Sequence, residues 1–161
     1  MSIQAIQARY VEHLFRSRTE ARWAVFFDQL NIKWEYEPEG FTLTDGVNYL
    51  PDFWLPDFEL FVEIKGLNAS GEEIRKCSLL QNDTGKGVVL FSGIPGANKG
   101  IPFLWDLTDS SGGVYGDSGD GCRFDVMGGV PVLVVNDWRN DRGMYVTDDF
   151  QANDFVMNEA E

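Results

Sequence analysis

Apolar and polar positions change period several times along the chain, and each change marks an element. Across residues 47–66 two apolar, aromatic-rich runs flank Pro56-Asp57-Phe58-Glu59, a proline and aspartate where a tight turn wants them. This predicts a β-hairpin. With Asp57 and Phe58 as the central turn residues, Pro56 pairs with Glu59 and Asp52 falls opposite Glu63. Side chains alternate along a strand, so Asp52, Glu63 and Lys65 share one face. Phe53, Leu55, Val62 and Ile64 take the other, the core side.

Elsewhere the period turns helical. Ser17-Arg18-Thr19-Glu20 has capping-box spacing, and Trp23, Phe26, Phe27 and Leu30 form an apolar stripe behind it. Glu20 stands one turn before Ala24 and two before Phe27, so it can point at the sheet. Residues 32–38 alternate and are rich in aromatics, which predicts the first strand. A second helix is expected over 71–83, with Ile74, Cys77 and Leu80 or Gln81 along one side and Gly85 as its stop. Residues 87–92 are continuously apolar, as in a buried strand with parallel pairing. Residues 1–16 stay open between a helical face of Ile6, Tyr10 and Leu14 and a short strand.

The remainder is less regular. Ten glycines fall within residues 93–129, interrupted by Pro102-Phe103-Leu104-Trp105, which reads as a long surface insertion. Residues 130–135 predict a further buried strand added to the sheet. The acidic end from Thr147 has Phe150, Phe155 and Met157 as candidate anchors, and three readings stay open: packing back on the domain, binding a protein partner, or staying mobile. The expected fold is α/β (α+β), a mixed central sheet flanked by helices. Its order is α-β-β-β-α-β with C-terminal strand additions. All 161 residues form one domain, with a core at about 9–95 and a loop-rich extension over 96–161.

Composition narrows the class. A chain 43% hydrophobic and 14% aromatic has enough apolar surface to fold. Two cysteines, Cys77 and Cys122, cannot ligate an iron–sulfur cluster, and reduced thiols suit a cytoplasmic protein. No apolar run reaches membrane-spanning length, and no partner membrane is expected. The net charge of −13 works against phosphate binding. It is uneven: residues 101–161 hold twelve acids against three arginines, whereas residues 67–100 hold three acids against four bases.

Chemistry concentrates in the hairpin. Opposed carboxylates at Asp52 and Glu63 repel unless something neutralises them. A hard divalent cation with oxygen ligands does so, and a lysine two residues along can hold an anionic substrate oxygen. Glu20 has two readings, a cap bonded to the Ser17 backbone N–H or a further metal ligand. Arg16, Arg18 and Arg22 either meet phosphates or line the exposed side of a helix. His13, the single histidine, reads as an ordinary surface or partly packed residue, and Glu37 as a solvated strand carboxylate. Lys76 and Gln81 lie on the second helix where substrate contact is conceivable.

Pro51-Asp52 followed by Glu63-Ile64-Lys65 resembles the motif of the PD-(D/E)XK nuclease superfamily. Residues 15–24 resemble the helix that opens its phage-type members, and the element order is similar over residues 9–95. The resemblance implies a restriction-endonuclease-like fold and a deoxyribonuclease, an endonuclease, dependent on Mg²⁺ or Mn²⁺. It implies Asp52, Glu63, the Ile64 backbone carbonyl and Glu20 as metal ligands, and Lys65 as catalytic lysine. DNA is the implied partner, with a homodimer as one form. If the chain is phage-encoded, its compartment is the host cytoplasm. Gln81 is followed four residues later by Gly85 where exonuclease-type members have tyrosine, a departure from that sub-type. Two other readings accompany the nuclease: a partner-dependent subunit of a transposition or restriction complex, and an acidic decoy that binds a DNA-processing protein.

Overall fold

The computed structural model describes residues 4–96, 100–105, 114–115, 121–137 and 142–146. The acidic end from Thr147 lies outside them. The open N-terminal stretch forms a ribbon, β1 (Ala8–Tyr10) and β2 (His13–Phe15). Helix α1 (Arg18–Gln29) follows, with Ser17 as N-cap accepting from the Glu20 N–H. Then come β3 (Glu35–Tyr36), a second ribbon of β4 (Phe41–Thr42) and β5 (Asn48–Tyr49), and the hairpin of β6 (Phe53–Leu55) and β7 (Leu60–Lys65). Helix α2 (Gly71–Thr84) crosses to β8 (Gly87–Ser92), which lies parallel to β7. Beyond it are β9 (Ile101–Trp105), β10 (Val114–Tyr115), β11 (Gly121–Met127), β12 (Val130–Asp137) and β13 (Arg142–Val146).

The chain is α+β. A six-stranded mixed sheet runs β10-β9-β8-β7-β6-β3, and a three-stranded sheet runs β11-β12-β13. The hairpin register is the expected one: Phe53 faces Val62 and Leu55 faces Leu60. Its turn differs. Pro56–Phe58 forms one turn of 3₁₀ helix and Glu59 closes it in the left-handed region at φ 48°, so the ladder ends at Leu55 and Leu60.

Both faces of the sheet are covered. On one, α1 buries Ala21, Trp23, Ala24 and Phe27 against Phe53, Val62, Ile64 and Phe91. The Trp23 and Phe91 rings lie 4.4 Å apart, and the Trp23 Nε1–H donates to the Gly93 carbonyl at 2.9 Å. On the other, α2 buries Cys77 and Leu80 against Phe61, Val88, Leu90 and Phe103. Fully burying each such large apolar side chain contributes about 1.5–3 kcal/mol. Helix α2 starts with a complete capping box between Ser70 and Glu73 and stops at Gly85, whose φ of 68° favours a residue without Cβ. Among the described residues no helix is long and apolar enough to cross a membrane.

Three expectations change. The strand expected over 32–38 is confined to Glu35–Tyr36, because Glu37 turns to a φ of 46° and Pro38 follows. The stretch expected as a surface insertion holds β9, antiparallel to β8, and β11. Cys122 and Phe124 of β11 alternate with exposed Arg123 and Asp125 and enter the main core. The strand expected over 130–135 exists but joins β11 and β13 in the second sheet instead of extending the first.

Candidate active site

The hairpin register continues past its last ladder pair to bring Asp52 opposite Glu63 and Pro51 opposite Ile64. Proline has no N–H, so Pro51 cannot supply the ladder bond that the Ile64 carbonyl would otherwise accept. The Ile64 N–H donates instead to Asp52 Oδ2 at 2.7 Å. An N–H and C=O of one strand residue point to the same side, so this carbonyl faces the Asp52 side of the strand. Proline followed by aspartate thus ends the pairing and leaves an oxygen and a carboxylate together.

Glu63 is 5% exposed and fully engaged. The Lys65 ammonium lies 2.7 Å from its Oε1, and the Tyr49 hydroxyl donates to its Oε2 at 2.7 Å. Tyr49 Oη also lies 3.7 Å from Cys77 Sγ. Burial, then the neighbouring Cys77 and Glu63, raise the Tyr49 pKa, so its hydroxyl stays a donor. Burial foremost, with Glu63 beside it, pushes the Cys77 thiol up to about 12. Burial opposes charge on Lys65, but Glu63, Asp52 and Glu73 together raise its pKa and keep it an ammonium. Glu73 Oε1 stands 3.5 Å from Lys65, while Glu73 Oε2 accepts the Ser70 N–H of the capping box.

Asp52 is the anomalous group. Burial, then the like charges of Glu63 and Glu20, raise its pKa well above the ordinary 3.8, against the opposing Ile64 N–H and Lys65. Glu20 therefore approaches from α1, yet its carboxylate is occupied. Its Oε1 takes the Ser17 hydroxyl at 2.8 Å and its Oε2 the Tyr36 hydroxyl at 2.6 Å. The expected bond from Glu20 to the Ser17 backbone N–H does not form; only the half of the capping box running from Ser17 does. Tyr36 is also fixed from the other side, accepting the Arg16 N–H at 3.1 Å.

Among the described residues no three His, Cys, Asp or Glu side chains gather into a ready metal cage. The oxygen donors of Asp52, Glu63 and the Ile64 carbonyl still fit a hard cation. Mg²⁺ usually keeps several waters and takes only one or two protein carboxylates beside substrate phosphate. Excess negative charge at Asp52 is what such an ion relieves.

Other candidates are placed less centrally. Arg16 pairs with Glu37 at 2.7 Å. Arg18 and Arg22 are exposed, with no ion pair among the described residues. His13 is exposed and packs on Trp34 with ring centroids 5.1 Å apart. Lys76 is half-buried, and Gln81 is wholly buried with neither amide atom hydrogen-bonded, which removes it from any substrate surface. Sequence reasoning missed Tyr36, Tyr49 and Glu73. For Glu73 a signal existed, since Ser70-x-x-Glu73 is a capping-box spacing; the tyrosines look like ordinary strand aromatics. No protein-family model, curated protein or solved structure matches the chain, so the site stands on its own geometry.

Proposed function

We propose that the chain is a divalent-metal-dependent deoxyribonuclease, acting as an endonuclease through a PD-(D/E)XK site on a restriction-endonuclease-like core. One observation carries the reading: Asp52, burdened by like charge, shares a sheet position with Glu63, Lys65 and a carbonyl that Pro51 leaves without a ladder donor. Asp52, Glu63 and the Ile64 carbonyl would hold Mg²⁺ or Mn²⁺, with Glu20 behind Asp52 adding negative charge. When bound, such an ion polarises a phosphoryl oxygen and makes a water more acidic. Lys65 keeps its proton and offers it to a substrate oxygen or orients the attacking water. Covered sheet faces on both sides shield these charges from bulk water and strengthen them.

The test is cleavage of supercoiled plasmid, single-stranded and branched DNA in Mg²⁺, Mn²⁺ and EDTA. Cleavage is expected only with metal, and Asp52→Ala and Lys65→Ala are each expected to lower it about 10²-fold or more. Lys65→Ala should still bind Ca²⁺, whereas Asp52→Ala should not. With net charge −13, DNA binding should also need a divalent ion and depend only shallowly on salt. Cleavage unaffected by Asp52→Ala overturns the reading. Absence of DNA binding in every condition, with an acidic face engaging another protein, favours the decoy.

A further inference from the structure

The β4–β5 ribbon has no place in the main sheet, yet its turn is pinned to α2 at two points of the helix. Asp45 in its turn pairs with Arg75 at 2.5 Å. Beside it, Asp83 accepts from the Thr44 backbone N–H at 2.8 Å and from the Thr44 hydroxyl. Residues in these two contacts are separated by about two turns of α2, so the ribbon is held against rotation as well as displacement. What the ribbon delivers at its far end is Tyr49, 9% exposed, with its hydroxyl on Glu63.

A carboxylate's terminal torsion is soft, and a buried glutamate with one partner can turn either oxygen outward. Glu63 has two partners of different kinds. Lys65 brings a positive charge to Oε1, a place that an incoming cation contests. Tyr49 brings a neutral donor to Oε2, which fixes direction without cancelling the charge on the carboxylate. Removing Lys65 from Oε1 leaves Glu63 with one free oxygen, aimed by the tyrosine.

We propose that Tyr49 is a positioning residue that makes Glu63 a one-oxygen metal ligand, and that the β4–β5 ribbon exists to hold it there. The proposal rests on the nuclease reading of the site. Ligand-orienting hydrogen bonds of this type change metal affinity about 10–100-fold when removed.

Mn²⁺ binding by calorimetry, with the electron paramagnetic resonance line shape of the bound ion, tests it on the full chain. Tyr49→Phe should weaken Mn²⁺ binding about 10–100-fold and alter the line shape. Tyr10→Phe is the matched control: Tyr10 donates to Asp28 at 2.6 Å, another tyrosine–carboxylate pair on other elements, and its loss should leave Mn²⁺ binding unchanged. Equal affinity and line shape in wild type and Tyr49→Phe overturn the proposal while leaving the nuclease reading intact. A wild-type chain that binds no Mn²⁺ overturns both. Should Tyr49→Phe fail to fold, Arg75→Ala with Asp83→Ala, at solvent-facing positions, removes both contacts and frees the ribbon instead. Weaker Mn²⁺ binding in that variant supports the proposal, and unchanged binding overturns it.

Discussion

A charge on Asp52 is disfavoured by its surroundings, and the metal-free protein should be less stable where Asp52 ionises. The sign follows from linkage. Because its folded pKa is raised, first by burial and then by Glu63 and Glu20, the folded state holds the proton more tightly than the unfolded chain. That stability is fully present below the ordinary value of 3.8 and is lost as pH rises through the folded pKa. Asp52→Asn keeps an oxygen to accept the Ile64 N–H but never ionises. In EDTA at neutral pH it should be more stable than wild type by ~0.5–2 kcal/mol, the usual gain when a functional compromise is removed. Urea denaturation at pH 7 and again below pH 3.8 checks this; a gain that persists unchanged in acid refutes the assignment. The positions of Asp52, Glu63 and Lys65 were legible because strand alternation and a turn fix them. Tyr49 was not, since nothing in residues 40–50 tells where a short ribbon will lie.

At the scale of elements, the hairpin, both helices and β8 were legible from period and caps, and the failures share a cause. Ile6, Tyr10 and Leu14 fall at helical spacing, and the β1–β2 turn at Val11-Glu12 carries no glycine or asparagine to announce it. The structure nonetheless sets Val11 at a φ of 53°, with the residue 67% exposed. A β-branched residue there is strained, by about 1–2 kcal/mol for left-handed backbone. Val11→Asn, which accepts that conformation, should therefore raise stability by about 1 kcal/mol in chemical denaturation. Val11→Ile, equally branched, should not. Equal stability of all three would mean the turn does not keep this geometry in solution. In β11 the alternation of Cys122, Arg123, Phe124 and Asp125 was present, but glycine-rich flanks hid it.

Across the whole molecule, the two sheets approach closely where Gly100 bridges to Cys122 with bonds of 2.8 and 3.0 Å. A Cβ on Gly100 would lie 2.6 Å from Phe91 Cε1 and 2.9 Å from Cys122 Sγ. Phe91 is buried against Trp23 and Phe124 and has little room to yield. Gly100→Ala should cost ~1–3 kcal/mol by overpacking, read by thermal unfolding, whereas Gly71→Ala, with nothing within 4 Å, should be near neutral. A neutral Gly100→Ala would show that the sheets part easily. Long-range joins of this kind leave no periodic trace, which is why the strand at 130–135 was legible but its place in a second sheet was not. The covering of both sheet faces also bears on how the chain avoids misfolding. A one-residue slip between β6 and β7 would carry Glu63 into the phenylalanine cluster under α1 and expel Val62 and Ile64 toward α2. An off-register hairpin would thus strand a carboxylate among aromatic rings and could close neither layer. The chemistry of the site doubles as a register signal, setting the wrong alignment at a free-energy disadvantage.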